Sequence, residues 1–351
     1  MFQKSKYLYI TGRLRVKETR MFNAVDLERM VDAPSAKEAF RVLNDTDFSD
    51  NLLELPDGKL ENFQKVLDEE LHDVRKFLKQ NISDNNTVRY LALKYNFSNL
   101  KILLKEKLFE ETKSEIESDL ANVNRDFLRE CIEYEPPRRK TKNKRKKVAL
   151  KDLKLAYHLA VKEVLDYYKN NSEDKNPAMI DLILDKHYYA ELLRWAKFFS
   201  SSFIKDYIIA QIDLQNILTF LRLKRGERGK DILELAIIDG GKIKTNIFKT
   251  SIEKSLDHFK KELNKTDYWM DIKNGWVFYI QNNEFWMLER DIDNILVRIL
   301  KKAKYITYGP EVAFAYLWGK HNEVRNIRII MLAKINNIEP KLIKERVREI
   351  Y

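Results

Sequence analysis

Five histidines, one cysteine and scattered carboxylates are the side chains that could do chemistry, and their spacing does not organise it. His72, His158, His187, His258 and His321 form no His-Glu-x-x-His and no pair four residues apart, so no metal site is expected. Gly-Lys occurs at Gly58, Gly229, Gly241 and Gly319. None is followed by Ser or Thr or preceded by Gly five positions earlier, so no phosphate-cradling loop is expected. There is no Gly-x-Ser-x-Gly, Cys131 has no catalytic context, and Asp291 and Asp293 sit in a charge-rich helical stretch where solvation is the default. No catalytic residue, cofactor or metal ligand is assigned. A lone cysteine makes no internal disulfide, fits a reducing compartment, and is expected to be a small packed residue.

The elements behind these residues are helices. Glycine and proline number 9 and 7 in 351 residues, well below the average combined usage of about 12%, which leaves little turn chemistry for a barrel or a glycine-rich cofactor fold. Ser35-Ala36-Lys37-Glu38 reads as a capping box opening a helix that runs to about Asn44, with Ala39, Phe40, Val42 and Leu43 facing a core. Helical spacing recurs at Phe63, Val66, Leu67 and Leu71, and at Leu288, Ile292, Ile295, Leu296 and Ile299. Gly309-Pro310 starts another helix, and Asn336–Pro340 separates it from a last short one. Seven aromatic residues from Tyr268 to Trp286 surround Asn274-Gly275, which reads as a hairpin or loop; the aromatics fill a core or mark an interface.

Net charge is +11, and eight of the ten residues from Arg138 to Lys147 are basic. Without that block, announced by Pro136-Pro137, the chain is nearly balanced. Such a run is a solvated loop or a patch for phosphate groups, although it lacks interleaved aromatics for stacking on bases. The longest stretch without Asp, Glu, Lys or Arg is Asn274–Asn283, against the roughly 20 apolar residues of a membrane span. No membrane-spanning segment or secretory signal is expected, and the chain is expected in the cytoplasm.

Three segments align without a gap: Asn99 to Lys107, Asn216 to Lys224 and Asn326 to Lys334. Each has Asn, then Leu or Ile, two apolar residues four and five positions on, and Lys eight on. Their separations approach one third of the chain, which predicts three copies of a helical unit over 1–117, 118–235 and 236–351, the basic block falling in the second. The Asn side chain is suited to tying its helix to a neighbouring segment, and the Lys to the carboxyl end of a helix.

The run Tyr308-Gly309-Pro310-Glu311, Ala315-Tyr316-Leu317-Trp318, Lys320, Glu323 and Arg325-Asn326-Ile327-Arg328, ending at Lys334, Asn336 and Pro340, resembles the C/d subunit family of rotary V-type and archaeal-type ATPases. Gly12-Arg13-Leu14-Arg15, Asp26-Leu27-Glu28 and Thr46-Asp47-Phe48 are similar to its opening. Asn99-Leu100-Lys101 and Asp213–Ile217 are similar to its internal copies. The resemblance implies an all-α, non-catalytic protein of three similar domains in a pseudo-threefold funnel, peripheral to the membrane through its complex. Its partners would be the central shaft subunits of the soluble head and the membrane proteolipid ring, with no nucleic acid, and its task the passage of torque for ion transport. The block at 138–147 departs from the family pattern, and the single cysteine brings the prokaryotic branch closer. Arg13, Arg15, Arg325 and Arg328 are interface candidates, or braces between helices. The alternative from another class is a basic helical nucleic-acid-binding or adaptor protein.

Overall fold

Every regular element among the described residues of the computed structural model is helical. The described residues are 4–49, 51, 63–109, 121–133, 153–171, 173, 176–226 and 230–351; the basic block 138–147 lies outside them. In chain order the α-helices are α1 (Leu8–Glu18), α2 (Ala24–Asp32), α3 (Ala36–Arg41), α4 (Phe63–Asn81), α5 (Asn85–Phe109), α6 (Arg125–Glu133), α7 (Leu153–Asn170) and α8 (Ala178–Phe199). They continue as α9 (Ser202–Arg225), α10 (Lys230–Ala236), α11 (Thr245–Ser251), α12 (Leu256–Leu263), α13 (Trp269–Asn282), α14 (Trp286–Lys301), α15 (Pro310–Ile335) and α16 (Pro340–Arg346). Two compact units divide them: Met1–Thr87 with Leu256–Tyr351, and Val88–Ser255.

In the first unit α15 is the centre, with α1, α2, α3, α4, α14 and α16 packed on it. A helix can take that place only if it is apolar on most sides. Val312, Ala315, Leu317, Ile327, Ile330 and Met331 are all fully buried. Gly309 precedes it at φ 147°, with Pro310 in the first turn where its missing N–H costs nothing.

Ser35 does cap α3, accepting from the Glu38 N–H at 3.2 Å. The Glu38 carboxylate pairs with Arg41 at 2.6 Å. The complete box lies one helix earlier, where Asn23 accepts from the Asp26 N–H at 3.3 Å and Asp26 accepts from the Asn23 N–H at 3.1 Å. The α-helix stops at Arg41 and tightens into a 3₁₀ turn over Val42–Asp45, with Ala39, Phe40, Val42 and Leu43 buried as the pattern predicts.

Asn274-Gly275 is neither hairpin nor loop; it sits inside α13. The turn comes at Asn283, in the left-handed region at φ 56°. A Cβ on Gly275 would stand 2.5 Å from the Leu288 Cα, so this glycine serves close approach of α13 and α14. Its N–H also donates to Asp291 at 3.0 Å. Asp291 is therefore a buried acceptor, not a solvated carboxylate, and Asp293 is bound by Arg325 and Arg348. Of the aromatic group, Tyr268, Trp276 and Tyr279 are core.

The second unit packs α6 on α7, α7 on α8, α8 on α9 and α10 on both α8 and α9. Phe97 meets Tyr157 and Tyr188 edge-on at 5.4 and 5.7 Å, and Trp195 and Phe199 of α8 are fully buried in this unit. Cys131 is buried as expected, which pushes its thiol up to about 11.

The long helices α5, α9 and α15 carry the aligned Asn-to-Lys segments, and they hold shorter helices by recurring bonds. Asn216 donates to the Ile238 carbonyl at 2.8 Å and accepts from the Ile238 N–H at 2.9 Å. Asn326 does the same to Arg348, at 3.1 and 2.8 Å. In both, the tied residue lies 22 positions downstream. Asn99 is buried too.

Three residues before each Asn stands another buried polar group: Asn96, Asp213 and Glu323. Asn96 accepts from the Asn122 N–H at 3.1 Å, just before α6. Asp213 accepts from the Lys242 and Ile243 N–H groups, each at 2.9 Å, just before α11. Glu323 accepts from the Phe22 N–H, just before α2. At the other end Lys224 donates to the Ile252 carbonyl that ends α11, at 2.5 Å, and Lys334 to the Ala33 carbonyl that ends α2, at 2.6 Å. Lys107 is exposed, and the residues following α6 lie outside the described ones. Eleven helical residues rise about 16 Å, the length of a short helix with its caps. The polar groups at those two positions hold α11 by α9, and α2 by α15, at both ends.

Candidate functional site

Lys320, midway along α15, is wholly buried. Its ammonium lies 2.9 Å from Glu70 of α4, 3.0 Å from Glu323 of α15 and 3.2 Å from Asp47, and 5.0 Å from the centre of the Phe48 ring. Burial works to discharge the lysine, but the pull of Glu323, Glu70, Tyr316 and Asp47 outweighs it and holds the pKa well above its ordinary value. The carboxylates outnumber the cation. Burial therefore raises Glu70, and raises Glu323 to about 7, against the opposing effects of Lys320 and the Phe22 amide. This charge set joins α4, α15 and the segment after α3 inside the first unit.

Sequence spacing gave no reason to single these residues out as a group, yet Asp47, Phe48, Tyr316, Lys320 and Glu323 all belong to the stretches that carry the family resemblance. The signal was present in another form. Lys320 and Glu323 are charged residues in a helix apolar on nearly every side, and such charges pair inside the protein.

The four candidate arginines lie on the same unit and do not converge. Arg13 donates to Asn81 and lies 4.7 Å from the centre of the Phe77 ring. Arg15 pairs with Glu18 at 2.6 Å and donates to the carbonyls of Ala303 and Ile306 at 2.7 and 2.8 Å. Arg325 pairs with Asp293, and Arg328 donates to Gln64 at 2.8 Å. Arg15 is thus a brace between α1 and the 302–308 segment, whereas Arg325 and Arg328 keep 48% and 40% of their side chains exposed. Among the described residues no three His, Cys, Asp or Glu side chains are grouped to hold a metal ion, and no helix is long and apolar enough to cross a membrane.

Residues 10–346 match the family model described as the ATP synthase (C/AC39) subunit. The chain is 23% identical over 346 residues to the C subunit of the V-type sodium ATPase of Enterococcus hirae, covering 99% of each chain. It is 23% identical over 360 residues to the C subunit of the A-type ATP synthase of Methanocaldococcus jannaschii, covering 96% of this chain and 85% of that one. A further relative, the C subunit of the A-type ATP synthase of Methanococcoides burtonii, is 24% identical over 365 residues, with 97% and 94% covered.

Proposed function

The chain belongs to the ATP synthase (C/AC39) subunit family, and from that premise we propose that it is the non-catalytic central-stalk subunit of a V/A-type rotary ATPase, linking the soluble shaft to the membrane proteolipid ring. The observation that carries the reading is the family match from residue 10 to residue 346, with named relatives aligned over nearly their whole length. The sequence thirds 1–117, 118–235 and 236–351 are proposed as copies of one helical module, centred on α5, α9 and α15 and arranged about a pseudo-threefold axis. The polar ties between long and short helices support the recurrence, since the same position of α5, α9 and α15 carries them, each reaching a residue in another third: Asn122, Ile243 and Phe22.

The task is mechanical. Torque passes through a spacer only if its helices do not slide, and close-packed interiors with low compressibility provide that stiffness. Bonds that hold a short helix at both ends add resistance to sliding along the axis. Arg13, Arg325 and Arg328, with their partly exposed guanidinium groups, are proposed as interface residues, and Arg15 as a contributor through the segment it braces. The protein is proposed to work at the membrane through its complex, without a span of its own.

The test is mild detergent extraction of membranes with a tagged full-length chain, followed by identification of the bound proteins by mass. Proteolipid and shaft subunits are expected together, and the purified chain alone is expected to hydrolyse no ATP. Persistent absence of both partners would rule the reading out.

A further inference from the structure

The outer crest of α1 is apolar and exposed, and no other described residues cover it. Leu8, Tyr9 and Val16 are 55%, 70% and 66% exposed, and their helical spacing puts them on one side, opposite the buried Ile10, Thr11 and Leu14. The bonds from Arg15 to the Ala303 and Ile306 carbonyls bring Tyr305, 91% exposed, to the flank of the same helix. Large apolar side chains scattered singly need no explanation, whereas four on one helix and its flank mark a contact surface.

Gly12 stands in the middle of this crest. Its backbone is ordinary helix, and a Cβ there would meet nothing within 4 Å. Neither a turn nor a neighbouring chain segment requires the glycine, and glycine weakens an exposed helix interior relative to alanine. What it provides is a notch between Leu8, Tyr9 and Val16, of the kind that lets another helix backbone approach closely.

The rim is cationic. Arg13 and Lys17 lie over the Phe77 ring at 4.7 and 5.1 Å on one flank, and Lys302 and Lys304 are exposed on the other. The carboxylate of α1, Glu18, is already occupied by Arg15 at 2.6 Å and the Tyr351 hydroxyl at 2.9 Å. A basic segment of this chain would be repelled from such a rim, and carboxylates would be drawn to it.

We propose that the α1 crest is the docking site for an acidic amphipathic helix of a partner protein, which lays an apolar stripe into the Gly12 notch and sets Asp or Glu residues against the flanking cations. The proposal deepens the rotor reading, on which it rests for where the partner is sought.

The experiment places a photo-crosslinking residue at Val16 of the full chain, with Met270 on α13 as the control position, in detergent-solubilised membranes, and sequences the adduct. The Val16 adduct should carry a helical segment whose apolar face is bordered by Asp or Glu. Gly12→Ala should raise the melting temperature yet weaken retention of that partner, and Gly12→Leu should weaken it by about tenfold or more. An adduct with a Lys/Arg-rich segment, a lipid or a nucleic acid overturns the proposal. So does unchanged retention in Gly12→Leu, or no adduct from a chain that still sediments with its complex. If no complex retains the chain, the rotor reading fails. The crest is then judged by titrating the full chain with a helical peptide of about 20 residues, long enough to hold its fold, bearing a Leu face flanked by Glu. Binding lost in Gly12→Leu sustains the proposal, and no binding overturns it.

Discussion

A lysine in an apolar helix is costly to bury alone, and Lys320 survives there because three carboxylates share its charge. Lys320→Met should destabilise the protein by roughly 3–5 kcal/mol in urea titrations, because it leaves carboxylates buried without their cation. Glu323 adds a pH dependence of definite sign. Its ordinary value is 4.5 and in the fold it titrates at about 7, so the folded chain holds the proton more tightly than the unfolded one. Its stabilising contribution is complete below about pH 4.5 and is lost as pH rises through 7, on the order of 3 kcal/mol in all. Glu323→Gln keeps an oxygen for the Phe22 N–H and fixes the group neutral, so it should flatten the decline in urea midpoint between about pH 5 and pH 8. A variant whose midpoint falls as steeply as the parent's would remove the assignment.

At the scale of elements, the bonds between helices matter more than helix propensity. Asn216→Ala would leave both the N–H and the C=O of Ile238 without their partner and should cost about 2–6 kcal/mol, since each buried unpaired group costs about 1–3. Leu103, Leu221 and Met331 are buried in α5, α9 and α15, and replacing each by Ala should cost roughly 2–5 kcal/mol. Unchanged melting temperatures for all three would refute the core assignment. The helices themselves were legible: the starts at Ala36 and Pro310 follow from Ser35 and from Gly309-Pro310. The helix α13 and its packing on α14 were not, because a glycine that admits a neighbouring helix looks the same in one dimension as a glycine that breaks one. Asp291 was missed for the same reason, since its partner is the backbone N–H of that glycine.

For the whole molecule, the charge balance rests on ten residues that the rotor reading does not use. Deleting 138–147 takes eight basic residues from a chain of net charge +11. The deletion should leave partner retention in detergent extracts unchanged and abolish any salt-sensitive binding to DNA or RNA measured by filter retention. Retained nucleic-acid binding at physiological salt, with loss of the membrane partners, would favour the alternative class.

Sequence by itself determined the helical class, the three Asn-to-Lys segments and the family, because these depend on composition, local spacing and the order of motifs along the chain. Tertiary structure alone decided which polar residues act together. Asp47 and Glu70 are far along the chain from Lys320 and Glu323, and they meet that pair only once α4 and the segment after α3 pack on α15. It also decided which side of α1 lies bare. Helical periodicity shows that a helix has two faces, and only the packing of its neighbours shows which one is left in water.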